Sequence, residues 1–232
     1  MSFDDERYAL EKIEMTEDIW NHPVVQCLIS AVGEIWPISP LVDLVNNGVS
    51  KMLEKQKKRK QEQILQELLE SKALTEENIK NVDFVIEFAK LLSAVNRTRG
   101  NTKIQCMVEI FKGTVCYDKK DYDLYEEYLQ RIYNMSEREM NILFIMYECE
   151  KKEELTNYSG DSREQKIARI WHEEKLSARE KLGIDEATLR SIIIGIQRTG
   201  FCSVEYIHYA AGDVQMYLLT QYFKDFMQYI SG

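Results

Sequence analysis

The residues to weigh first for chemistry are the three histidines, His22, His172 and His208. Metal and acid–base sites draw on several imidazoles, or on one imidazole aimed at a carboxylate. None of these histidines has a second one near it in sequence, and no HExxH pattern, Cys–His ligand set or calcium loop occurs. The run Trp171-His172-Glu173-Glu174 sets a histidine beside carboxylates, but neighbouring residues on a helix point in different directions. Cys116-Tyr117-Asp118 offers a thiol beside an acid, with no nearby histidine in sequence to activate it. No glycine-rich phosphate loop is present; Gly195 stands alone in an apolar segment and reads as a close packing point. Asp121 and Asp123 read as acids at a helix start, favoured by the helix dipole. These patterns lead us to expect a protein that is not an enzyme and needs neither cofactor nor metal.

Cationic side chains form the second group. Lys51, Lys55, Lys57, Lys58, Arg59 and Lys60 place six positive charges within ten residues, opposed only by Glu54. Such a run can meet phosphates, an acidic partner or anionic lipid, and it can also be the solvated face of a long helix. Arg97, Arg99 and Lys103 surround Gly100 and Asn101 as a smaller polar corner, able to hold an anion or a partner's carboxylate. The chain as a whole carries a net charge of -9, so any contact with nucleic acid has to run through a local basic patch.

The elements that position these residues are expected to be helical. The 232 residues suffice for one large or two small domains, and 44% of them are hydrophobic. The three prolines, Pro23, Pro37 and Pro40, all lie near the N-terminus, leaving the rest free of helix breakers. Helices are expected over 5–19, 24–35 and 41–71, the last either continuous or broken near residue 56. Further ones should run from an N-cap at Thr75 to near Arg99, over 102–115 and 121–133, and onward from a capping box at Ser136–Glu139. The charged stretch 148–165 reads as a flexible link. A helix over 166–176 and a second capping box at Ser177–Glu180 follow.

Five widely spaced cysteines, an odd number with no CxxC, read as reduced thiols of a cytoplasmic protein. The acidic N-terminus lacks the pattern of a signal peptide. Segments 24–35 and 41–53, joined by Trp-Pro-Ile-Ser-Pro and followed by positive charge, sketch a membrane-acting hairpin. Each arm is too short to span, and Glu34 and Asp43 would be costly in hydrocarbon, so stable insertion is not expected. Tyrosine is frequent at 13 copies, crowded at 117–133 and 206–229, where it suits protein interfaces.

The C-terminal stretch carries the most specific pattern. Leu182-Gly183-Ile184 reads as a tight turn between two helices, with Asp185 capping the second and Leu189, Ile192, Ile193 and Ile196 packing it inward. Gly200 ends that helix, strands of a wing are plausible over 203–219, and 220–230 closes as a helix. With Ile196-Gln197-Arg198-Thr199-Gly200-Phe201 and Tyr217-Leu218-Leu219-Thr220, residues 165–230 resemble the winged helix-turn-helix superfamily. That resemblance implies a second helix able to enter the major groove, with Thr188, Arg190, Arg198 and Lys181 as candidate nucleic-acid contacts. The helix starts Asp185-Glu186-Ala187-Thr188, however, and two carboxylates repel phosphate. Residues 177–200 hold four basic and three acidic side chains, a net of +1.

The expected fold is mainly α: a helical bundle over 1–150, then a winged-helix-like α/β domain over 165–232. The expected role is non-catalytic binding of another protein, or of itself as a homo-oligomer. DNA-binding transcriptional regulation is the alternative, and a membrane-acting effector working through 24–60 is the third reading.

Overall fold

Long runs free of proline, rich in Leu, Ile, Glu and Lys, lower the cost of helix formation, and an apolar stripe then supplies the packing that makes each helix stable. The computed structural model follows that logic; it describes residues 19–35, 51–116, 121–156, 162–209 and 212–231. The described residues form a helical bundle followed by a small two-stranded β region in the C-terminal part. They divide into two compact units, Met1–Tyr133 and Asn134–Gly232. The helix expected over 5–19 and the Trp-Pro-Ile-Ser-Pro break lie outside the described residues, apart from residue 19 of that helix.

The first unit begins with a 3-10 turn, Ile19–Asn21, and α1, Pro23–Ile35. Pro23 occupies the first helical position, where its missing N–H costs nothing. Helix α2, Lys51–Glu70, is continuous, so the alternative break near residue 56 does not occur, while residues 41–50 of the expected helix lie outside the described residues. Thr75 caps its helix as expected, accepting from Asn78 N at 3.2 Å, but α3 is short, Glu76–Ile79. A second cap intervenes: Asn81 Oδ1 accepts from Asp83 N at 2.9 Å and starts α4, Val82–Arg97. One expected helix is thus two, because asparagine competes well for backbone donors at a helix start. Helices α5, Asn101–Cys116, and α6, Tyr122–Asn134, follow. An aromatic cluster ties α4, α5 and α6 together, with Phe111 5.3 Å from Phe84, 5.9 Å from Phe88 and 5.7 Å from Tyr125. All four rings are fully buried.

The second unit opens with α7, Glu137–Thr156, whose start is the expected capping box between Ser136 and Glu139. The flexible link expected over 148–165 is corrected by the structure. Helix α7 continues to Thr156 and α8, Arg163–Leu182, starts from Ser162 in a capping box with Gln165; residues 157–161 lie outside the described residues. The charged letters are good helix formers, and Cys149 and Glu150 among them are buried. The capping box expected at Ser177 is also absent. Ser177 lies inside α8, with its hydroxyl 3.7 Å from the Cys149 thiol.

Helix α8 ends at Gly183, whose φ of 65° is left-handed, and its N–H donates to Arg179 O at 3.0 Å. Helix α9, Glu186–Gln197, follows. Strands β1, Cys202–Tyr209, and β2, Gly212–Leu219, pair antiparallel from Cys202↔Leu219 to Tyr209↔Gly212. Helix α10, Gln221–Ser231, closes the chain. Phe201 sits at its heart, with ring centroids 5.3 Å from Phe223, 5.2 Å from Phe226 and 5.5 Å from Tyr222.

A Cβ added to Gly183 would meet nothing within 4 Å. Gly183→Ala is therefore a pure backbone test, and it should cost about 1–2 kcal/mol, the penalty of a left-handed L-residue. Urea unfolding of the variant checks this.

Candidate functional site

The turn between α8 and α9 places the four residues singled out for nucleic-acid contact. Asp185 Oδ1 accepts from Thr188 N at 2.8 Å and starts α9. Leu189, Ile193 and Ile196 are buried beneath the helix. Thr188 is half-buried and Lys181 is exposed.

Arg190 turns inward. Its guanidinium lies 4.8 Å from the centroid of the buried Trp171 ring and 5.9 Å from that of Tyr217. Nη1 donates to Gln215 O on β2 at 2.8 Å, while Nε and Nη2 donate to Glu186 Oε1 at 3.0 and 2.8 Å. These bonds hold the Glu186 carboxyl below its ordinary range, against the opposing effect of burial. Arg190 thereby joins α9, α8 and β2, a cation held over an aromatic face. Arg198 is also engaged: it pairs with Glu139 of α7 and donates to Gly195 O and, at 3.0 Å, to Asn134 O. Burial pushes the Glu139 carboxyl up, but hydrogen bonds from Arg198 and Ser136 outweigh it and hold it below its usual value. Gly195 makes room for this pair, since a Cβ there would lie 2.8 Å from Glu139 Oε1.

The outer face of α9 is plain by contrast. Ala187, Ser191 and Ile194 are exposed at one-turn spacing, with Ile194 56% accessible. No cation projects from those positions.

Beneath α8 lies a feature that sequence reasoning passed over. Glu174 is fully buried and neither carboxyl oxygen has a hydrogen-bond partner. Burial first, and the nearby Glu150 charge second, raise its pKa well above the ordinary carboxyl range. Glu150, on α7, accepts from Leu219 N at 2.6 Å and pairs with Lys224 at 3.2 Å. Cys149 and Cys202 border the two acids; burial pushes the Cys149 thiol up to about 11 and the Cys202 thiol higher still. Neither is poised as a nucleophile. The spacing Ile167, Trp171, Glu174, Ala178 marks the buried stripe of α8, and that stripe was the available signal.

The first unit brings two separately predicted groups together. Lys60 Nζ donates to Thr98 O at 2.8 Å, so the α2 run meets the Arg97–Arg99 corner. Burial and the Arg99 charge lower the pKa of Lys60. Lys57, Lys58 and Arg59 are exposed, as are Arg97 and Arg99; the side chains of Lys51 and Lys55 lie outside the described residues. Lys103 instead donates to Tyr133 O at 2.9 Å.

His22 and His172 are exposed, and the side chain of His208, like Tyr117 and Asp118, lies outside the described residues. His172 is exposed while Trp171 and Glu174, three residues apart, share the buried face of α8, so the histidine is turned away from the buried carboxyl. Among the described residues no three His, Cys, Asp or Glu side chains are grouped to hold a metal ion, and no helix is long and apolar enough to cross a membrane. Comparison with protein-family models, with curated proteins and with solved structures finds no match.

Proposed function

We propose that the chain is a non-catalytic protein-interaction or adaptor protein whose second unit is a winged-helix-like scaffold for contact with protein. The order supports the scaffold: two helices joined at Gly183, then a hairpin, then a closing helix. The observation that carries the reading is Arg190. In a DNA reader the guanidinium early in the second helix is free to reach phosphate or a base edge. Here it is spent on Trp171, Glu186 and Gln215 O. Arg198 is spent on Glu139. What α9 offers outward at Ala187, Ser191 and Ile194 is uncharged, with Ile194 a large exposed apolar side chain, a surface suited to packing against another protein.

Equilibrium unfolding of Arg190→Ala tests this. A structural arginine lost from a ring face and a strand carbonyl should cost about 1–2 kcal/mol. A DNA-contacting arginine on the surface should cost about 0.5 kcal/mol or less. A stability loss in the smaller range, together with lost affinity for duplex DNA, would sink the proposal.

A further inference from the structure

Helix α4 has opposite charge at its two ends. Its first turns line an open cleft with the start of α6, and the cleft walls carry Asp83, Glu87, Asp121, Asp123 and Glu126 against one cation, Lys90. Asp83, Asp121, Asp123 and Glu126 are exposed. Lys90 bridges Glu87 and Glu126, which leaves the cleft with an excess of negative charge. Two polar atoms in it have no partner, Glu87 Oε2 and Tyr122 Oη, and Glu87 is only 4% exposed. Both atoms are sealed from solvent, so the charge open to a partner is that of the exposed carboxylates Asp83, Asp121, Asp123 and Glu126.

The far end of α4 carries Arg97 and Arg99, joined by the α2 run through the Lys60–Thr98 contact. Arg97, Arg99, Lys57 and Arg59 are exposed and make no ion pair among the described residues; Lys58 has only a 3.8 Å approach to Glu62. Asp83 and Arg97, fourteen positions apart, lie about 20 Å from each other along the helix. Arg97 borders Lys90 and Glu126 in an adjoining groove, but its side chain does not reach back along the helix to Asp83, so the far acids of the cleft are left to another copy.

We propose that the first unit associates head to tail with a second copy of this chain, the Arg97–Arg99 pole of one copy entering the acidic cleft between α4 and α6 of the next. Charge complementarity selects this occupant. In a chain of net charge -9, a concentrated basic pole meets its complement on the chain itself. Guanidinium groups suit the site because they donate in a fixed fork to paired carboxylates. Such a contact uses different surfaces on the two copies, so it builds rings or open chains rather than a closed symmetric pair. The inference rests on the reading of the chain as an interaction protein.

Sedimentation velocity of the full chain, at low ionic strength and again at high salt, tests it with two charge-reversed variants. One is Arg97→Glu with Arg99→Glu; the other is Asp83→Lys with Asp123→Lys. Wild type should assemble at low salt and dissociate at high salt. Each variant alone should be monomeric. Their equimolar mixture should assemble again, because the native pole of one fits the native cleft of the other and the two reversed surfaces are themselves complementary; recovery on mixing also shows that both variants are folded. A monomeric wild type at low salt overturns the inference, as do variants that assemble like wild type. A monomeric chain whose Arg97–Arg99 pole instead binds anionic vesicles or duplex DNA overturns it in favour of a phosphate-bearing partner. Monomeric wild type that also ignores DNA removes this inference alone, whereas DNA binding lost in Arg190→Ala removes the reading beneath it.

Discussion

Glu174→Met should make the protein more stable at neutral pH, by about 1–3 kcal/mol, the desolvation cost of a buried polar group without a partner. Methionine has a similar volume, and its flexible thioether fills the same space without an orphaned oxygen. Glu174 is fully buried beside Glu150, with Cys149 and Cys202 bordering and Lys224 reaching Glu150 from α10. The pH dependence follows from its raised pKa. Below the ordinary carboxyl range both folded and unfolded states hold the proton, and folding is unopposed by this group. As pH rises past the unfolded value, the unfolded chain releases its proton while the folded one keeps it. Stability then falls with pH until the folded pKa is passed. Glu174→Gln should flatten that slope, because the amide does not titrate. Urea midpoints from pH 4 upward read both effects. A wild-type slope unchanged in Glu174→Gln would show that Glu174 is not the group responsible.

Phe201→Ala should have the largest destabilising effect, about 3–5 kcal/mol, as deletion of a buried aromatic leaves a cavity its neighbours only partly fill. Phe201 is fully buried and touches Phe223, Phe226 and Tyr222 of α10. It also anchors the hairpin base, where Thr220 N donates to Phe201 O at 3.0 Å. The loss should therefore act on the strand–α10 junction and appear as faster hydrogen exchange at Phe223 and Phe226. A loss under about 1 kcal/mol would mean that the ring cluster does not hold α10 in place.

Much of the local structure is legible in the sequence because single residues dictate it. Thr75, Ser136 and Asp185 cap helices through their own side-chain oxygens. Gly183 ends α8 at a left-handed position that other residues adopt at a cost. What misleads is composition. Residues 148–156 look like a linker because they are charged, yet Cys149 and Glu150 are buried in α7. Ser177 has the right neighbours for a cap, but nothing there breaks the helix. Asn81 caps α4 only two residues after α3 ends, which a pattern read at helical spacing runs straight across.

The candidate site was legible by residue and not by orientation. Arg190 and Arg198 stand out as cations after the turn at Gly183, but sequence spacing does not reveal that Trp171 and Glu139 take them up. Likewise Lys60 and Arg99 lie far apart in sequence, and only the packing of α2 against α4 joins them. Glu174 was readable in principle, since it falls on the stripe of Ile167, Trp171 and Ala178; a lone charge on an apolar stripe reads as noise until its burial is seen.

We propose that Arg190 and Arg198, the cations of α9 and its end, hold the second unit together and do not read DNA. Fluorescence anisotropy of labelled mixed-sequence duplex DNA, titrated with wild-type protein at low salt and repeated at physiological salt, tests it most directly. A flat titration is expected at both. Binding that weakens with salt, and is lost in Arg190→Ala and Arg198→Ala variants that remain folded, would contradict it.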